Sequence, residues 1–215
     1  MATVKRPGRR TAAVTRRARA DATRQRIVTA AADLFRENGY AATTMAAIAR
    51  RSRVAVQTVY FTFHTKTALL AAVANQAITG GTAVAPEQAA WVQSVLAERD
   101  GARRIALVVE ATAQIAPRML PIADAWHAAI AADPSAATEY RARLVARRQF
   151  LRRVIEQTQT SGQLKLKLDP ERAADILFAM TTPESYASLT DLLGWSVQYW
   201  KSWVTALLVR ELLRG

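Results

Sequence analysis

The chain has 215 residues, 51% of them hydrophobic, and a formal net charge of +13 at pH 7. That length and apolar share allow one generous domain or a small domain joined to a larger one, with a real core. The absence of cysteine excludes disulfides, thiolate metal sites and a cysteine nucleophile together, and it suits a reducing, cytoplasmic location.

Charge is unevenly placed. Residues 1–66 carry 14 Lys or Arg and 3 Asp or Glu, a net of +11, whereas residues 67–215 are near neutral at +2. Without residues 1–18 the stretch to Lys66 keeps +5, so a basic tail is only part of the excess. The pattern is that of a small basic module for a polyanion attached to a body with another task.

The N-terminal "MATVKRPGRRTAAVTRRARAD" lacks the apolar core of a signal peptide, and no later run of about 18 uninterrupted apolar residues could span a bilayer. No membrane association is expected. Residues 1–18, rich in Arg, Ala and Thr, read as a flexible basic arm.

From about Arg19 the spacing of Ile27, Ala31, Leu34 and Phe35 predicts an amphipathic helix that ends at "ENGY", where Gly39 can take a left-handed conformation. Thr44 is placed to cap a short helix whose apolar side is Met45, Ile48 and Ala49. After a break near Ser52 and Arg53 comes "VAVQTVYFTFHTK", Val54–Lys66, which on β-branched and aromatic propensity alone should be a strand. Its place between short helices in a basic module predicts instead a third helix, with Val59 and Phe63 packed beneath it. A fourth begins near Thr65, with Leu69, Leu70 and Val73 inward.

Further on, Asp133, Asp169 and Thr182 each precede a proline at a helix start, where the missing N–H costs nothing, so helices are predicted from Pro134, Pro170 and Pro183. "RRIALVVEATAQIA" and "MLPIADAWHAAIAA" supply two more, the second interrupted by Pro121, and Ser196–Leu213 supplies the last. "LKLKL", 164–168, reads as an extended connection. The fold class is all-α: a three-helix helix-turn-helix domain over 19–64 and a larger helical domain over 65–215.

A long helix, a short helix, a tight break and another short helix among basic residues is the anatomy of a helix-turn-helix, whose last helix meets base edges in the major groove. "RIVTAAADLFRENGYAATTMAAIARRSRVAVQTVYFTFHTKTALLAAV" resembles the DNA-binding domain of the TetR family of bacterial transcriptional regulators. The resemblance covers roughly residues 26–73 and rests on Leu34, Phe35, Gly39, Tyr40, Thr44, Ile48, Ala49, Val54, Tyr60, Phe63, Lys66 and Leu69 in order.

That resemblance implies phosphate contacts for Thr44, Tyr60 and Lys66, and base-edge contacts for Ala55, Val56, Gln57 and Thr58. Gln57 is the preferred reader, because a glutamine amide can pair with both exposed major-groove groups of adenine. Arg53 stands where the family usually has Gly, so the turn either has ordinary dihedrals or strains an arginine against the DNA backbone. Ala55 replaces a frequent Ser, losing a cap worth about 1 kcal/mol. Phe61 and Thr62 replace frequent Tyr and His at the same DNA-facing surface, with Arg50, Arg51, Arg53 and the arm as compensation.

The resemblance also implies a larger domain that binds a small effector and forms a homodimer, usually through its last helices. Val197, Trp200, Val204, Leu207 and Leu208 make an apolar stripe on the last helix, read equally as core or as dimer interface. Trp91, Met119, Trp126, His127, Phe150 and Tyr186 are the side chains available to line an effector cavity. The run Arg141, Arg143, Arg147, Arg148, Arg152 and Arg153 is read as a solvated helix face that could meet an anionic effector.

With two histidines in separate domains and no Gly-rich phosphate loop, no metal, cofactor or catalytic activity is expected. The expected partners are a double-stranded DNA operator, a small-molecule effector and a second copy of the chain. An effector-free architectural DNA binder, with no internal cavity, is the competing expectation.

Overall fold

The structure is a computed structural model in which residues 9–82 and 84–214 are described. It divides into two compact units, the first ending at Val73 and the second starting at Ala74. The division falls within α4 rather than at the expected 64/65.

The first unit holds α1 (Arg9–Ala42), α2 (Met45–Ser52), α3 (Val56–Phe63) and the start of α4 (Lys66–Thr79). Residues 9–18 of the expected arm are helical, as their Ala and Arg content favours, and residues 1–8 lie outside the described residues. Within that span Gly39, at φ 74° and ψ 169°, breaks the helical path, so the long helix ends there and a short turn follows to Ala42. Thr44 caps α2, its Oγ1 accepting the Ala47 N–H at 3.1 Å, and Thr65 caps α4 through the Ala68 N–H at 3.0 Å. The apolar faces meet in one core, with Ile27, Leu34, Phe35, Ile48, Val59, Phe63, Leu69 and Leu70 buried. Burying Val59 and Phe63 is worth roughly 1.5–3 kcal/mol each, enough to hold as a helix a segment whose local preference is extended.

The second unit contains α5 (Ala90–Ala97), α6 (Gly101–Ala132), α7 (Ser135–Thr160), α8 (Pro170–Met180), α9 (Pro183–Ala187) and α10 (Val197–Leu212). Two of the three proline-marked starts are where the caps predict them, Asp169 and Thr182 each accepting a backbone N–H of the helix they precede, as Ser196 does before α10. The third helix, α7, begins at Ser135, one residue after Pro134, with Asp133 accepting the Ser135 N–H at 2.8 Å. The two segments expected on either side of Met119 form one 32-residue helix instead, with Pro117 and Pro121 inside it. Each proline removes one backbone donor, but α6 packs along its length on α5, α7, α9 and α10, and that burial overrides the local break. By length and composition alone α6 could cross a membrane; its buried side, including Ile105, Val108, Val109 and Trp126, lies in this core. The "LKLKL" connection stays extended only at Leu164, which forms an isolated bridge with Leu213.

One close approach fixes how α6 starts. The Gly101 N–H donates to the Gln163 side-chain oxygen at 2.5 Å, and the Gln163 amide donates to the Arg99 carbonyl at 3.0 Å. A Cβ on Gly101 would sit 2.7 Å from that Gln163 oxygen, 3.2 Å from Thr158 Cγ2 and 3.3 Å from Leu213 Cδ1. Gly101→Ala should therefore lower the unfolding free energy by about 1–3 kcal/mol in a denaturant titration. Unchanged stability would show that the α6 start is not tightly enclosed.

Candidate functional site

The turn between α2 and α3 is made by Arg53, held at φ 56°, ψ 48°. Its N–H closes α2 onto the Ala49 and Arg50 carbonyls, so this arginine occupies the left-handed conformation that the family's glycine adopts without strain. α3 follows with Ala55 at its N-cap and no side-chain cap bond, as that alanine predicts.

The helix has two sides. Val59 and Phe63 are buried, while Ala55, Gln57, Tyr60 and Phe61 are exposed, Phe61 at 84%. Val56 and Thr58 are half-buried at the margin. Thr62 spends its hydroxyl on the Thr58 carbonyl at 2.7 Å, and its own carbonyl accepts from Arg24 of α1 at 3.4 Å. The Arg24 guanidinium also lies 4.4 Å from the Phe63 ring centroid. Exposed amide, phenol and phenyl groups thus stand on a rigid base beside the cationic end of α2, where Arg51 is paired with Glu37 at 2.6 Å and Arg53 is exposed.

Lys66 departs from its expected place. Its ammonium turns inward, donating to the Tyr40 carbonyl at 2.7 Å and the Thr43 carbonyl at 3.0 Å, and lies 4.1 Å from the Tyr40 ring centroid. Burial holds its pKa below the usual lysine value. Its work here is to tie the end of α1 to the start of α4. Thr44 remains exposed, with its hydroxyl oxygen engaged as a cap. A feature with no sequence signal is His64, at φ 57°, ψ −52°, where the Thr65 N–H bonds back to the Phe63 carbonyl at 2.5 Å in a γ-turn.

The second unit contains a partly open cavity of about 730 Å³. Trp91, Met119, Trp126, His127 and Phe150, five of the six side chains expected at an effector site, line it. Trp91 is fixed by its indole N–H to the Ile78 carbonyl at 3.1 Å and by an edge-on contact with Phe150, centroids 5.3 Å apart. Tyr186 does not reach the cavity: it is buried against Trp200, centroids 5.0 Å apart, and serves the core.

Also in the lining, with no sequence signal to place them there, are Tyr140, Glu87 and Glu184, and from the arginine run Arg143, Arg147 and Arg153. That run is divided by helical phase rather than uniformly solvated. Arg148 and Arg152 pair with Glu171 of α8, whereas Arg143 and Arg147, one turn apart, face the cavity. Burial lowers the Arg147 pKa to about 10, with Glu184 opposing the shift, and burial also lowers that of Arg143.

Residues 27–73, from the middle of α1 to the middle of α4, match the family model of bacterial regulatory proteins, tetR family. The first unit thus carries a TetR-type DNA-binding domain. No curated protein matches its sequence. Among solved structures it is similar in fold to the complex of SmeT with triclosan, at TM-score 0.69 and 18% identity over 90% of this chain and 93% of that one. It is also similar to NalD, the secondary repressor of the MexAB-OprM multidrug efflux pump in Pseudomonas aeruginosa, at TM-score 0.66 and 21% identity over 91% and 99%. A TetR transcription regulator from Haloarcula marismortui aligns at TM-score 0.64 and 17% identity over 89% and 98%.

The apolar stripe of α10 belongs mostly to its own unit. Trp200, Val204 and Leu208 are 0% exposed, packed with Leu177, Val154 and Ile105, so of the two readings of the stripe these three take the core one and not the dimer one. Leu207 is half-buried and Val197 exposed. The face left open lies to one side of that stripe: Tyr199 and Trp203, with Trp195 between them at 4.7 and 5.3 Å, beside exposed Leu192 and Leu193.

Two substitutions test the TetR-type domain. Arg53→Gly should raise the stability of the first unit by about 1 kcal/mol, read as a higher thermal midpoint, because the left-handed penalty disappears. Lys66→Met should lower it by about 1–3 kcal/mol, since two helix-end carbonyls lose their donor. A gain from the lysine change would contradict its inward role.

Proposed function

We propose that the chain is a ligand-responsive transcriptional regulator, a homodimeric repressor that a small-molecule effector releases from a palindromic operator. The observation that carries this over an architectural DNA binder is the aromatic-lined, partly open cavity of ligand size, for which an effector-free binder has no use. It stands in the same chain as a reading helix with Gln57, Tyr60 and Phe61 open to a major groove. A cytoplasmic location follows from that role.

In this reading Gln57 addresses adenine, Ala55 and Val56 touch thymine methyl groups, and Thr44, Thr58, Tyr60, Phe61, Thr62 and Arg53 border the backbone. Lys66 acts through the scaffold. Two heads are needed for two half-sites, and the aromatic face of Trp195, Tyr199 and Trp203 supplies the dimer surface in place of the buried stripe. An effector that prefers one of two conformations lowers DNA affinity by the difference in its binding free energy to them.

The test uses duplexes enriched from a random pool on the full chain, with binding followed by fluorescence anisotropy. Gln57→Ala should cost about 1–3 kcal/mol on the enriched duplex and much less on random DNA. Trp203→Glu should give a monomer by sedimentation and lose tight binding to the two-half-site duplex. Failure to enrich any sequence at low salt would overturn the regulator reading in favour of an architectural one.

A further inference from the structure

We propose that the cavity of the second unit selects an anionic apolar effector, a carboxylate carried on an aromatic or aliphatic body, and that Arg147 is the group that recognises its charge. The proposal rests on the reading of this cavity as the effector site.

α7 carries arginines on two sides, and the chain treats them differently. Towards α8, Arg148 meets Glu171 at 2.9 Å and Asp175 at 2.6 Å, while Arg152 meets Glu171 at 2.8 Å and Glu156 at 2.9 Å. Towards the cavity, Arg147 has only neutral acceptors within bonding distance: the Thr181 carbonyl at 2.6 Å, the Thr181 hydroxyl at 2.9 Å and the Phe178 carbonyl at 3.4 Å. Its guanidinium stacks 4.4 Å from the Phe178 ring centroid. These contacts orient the planar fork without cancelling its charge. With a pKa of about 10 the group is still protonated at neutral pH, so a largely buried cation sits where no carboxylate of the described residues forms an ion pair with it. Such a charge is costly, and a ligand carboxylate that pairs with it recovers the cost.

The rest of the wall has the same polarity. Arg143 lies one turn away on α7, bonded to Asn75 at 2.8 Å, and is a second cation on the cavity side. Trp126, wholly buried in the lining, keeps its indole N–H without an acceptor. Burial, and then Glu184, raise the Tyr140 pKa, which keeps the phenol a hydrogen-bond donor. The acids of the lining, Glu87 and Glu184, are solvent-exposed, as is Arg153; Glu184 is felt by Arg147 and Tyr140 from that exposed position but forms no ion pair with Arg147. The interior is therefore donor-rich and cationic, and Trp91, Phe150, Met119 and Trp126 provide the apolar bed for the body of the ligand.

The experiment is calorimetric titration of the full chain at neutral pH with two matched pairs of probes. They are 1-naphthaleneacetate with 1-naphthaleneacetamide, and octanoate with octanamide. The carboxylate should bind at least about tenfold more tightly than its amide in one pair or both, as expected for a charge-assisted contact in a desolvated site. Arg147→Met should remove that preference and leave amide affinity within about threefold, while Arg147→Lys should keep part of it and Arg148→Met all of it. If Arg147→Met does not fold, the wild-type pairs and the lysine variant decide. Amides binding as tightly as carboxylates in both pairs, or an unchanged preference in Arg147→Met, would overturn the anion proposal while leaving the effector cavity standing. No heat from any of the four probes would count against both.

Discussion

The Lys66 ammonium, shared between the Tyr40 and Thr43 carbonyls, is the contact on which the reading surface depends. α3 has eight residues, far fewer than a helix needs to persist alone in water, so its direction must be imposed from outside. The lysine joins the segment after α1 to the first residue of α4, and the bond between the Tyr40 and Thr67 hydroxyls, at 3.1 Å, reinforces the joint. Between those fixed ends, Val59 and Phe63 seat α3 on Ile27, Leu34 and Ile48, while Arg24 holds its last turn. Exposed Gln57 and Phe61 thus stand on a helix whose direction is set from beneath.

The second unit spends its interactions in a different way. A core built on Ile105, Val154, Leu177, Trp200 and Leu208 is closely packed, yet the same helices leave a large void beside it. Unfilled volume forfeits dispersion contacts and destabilises a fold. An ordinary core would not keep both that cavity and two part-buried guanidinium groups facing it. In the proposed function those two costs are offset when ligand is bound, and by linkage the ligand's preference for one conformation is what DNA affinity would report.

Much of this was legible in the residues because local chemistry and tertiary packing agree. Thr44, Asp169, Thr182 and Ser196 are caps where their spacing says caps should be, and Gly39 leaves α1 with positive φ. Val54–Lys66 was recoverable only from context, since its β-branched residues argue for a strand and packing beneath Val59 decides otherwise. Side-chain direction was the harder part. A lysine opening a helix can face solvent or a neighbouring helix end, and nothing local distinguishes the two. Periodicity shows that α10 has an apolar stripe, but two apolar stripes share that helix, and which one its own unit covers is a tertiary fact. The continuity of α6 through Pro117 and Pro121 was hidden for the same reason, because local propensity opposes it and only its neighbours sustain it. The division of the α7 arginines needs the phase of the helix relative to α8, which no spacing rule supplies.

The most direct test of the account is dimethyl sulfate protection of an enriched duplex bound by the full chain, since the reagent marks guanine N7 in the major groove and adenine N3 in the minor groove. The account predicts two patches of N7 protection about one helical turn or a small multiple apart, related by a dyad and lost in Gln57→Ala at matched concentration. Protection confined to adenine N3, or spread evenly along the duplex, would contradict the placing of α3 in the major groove.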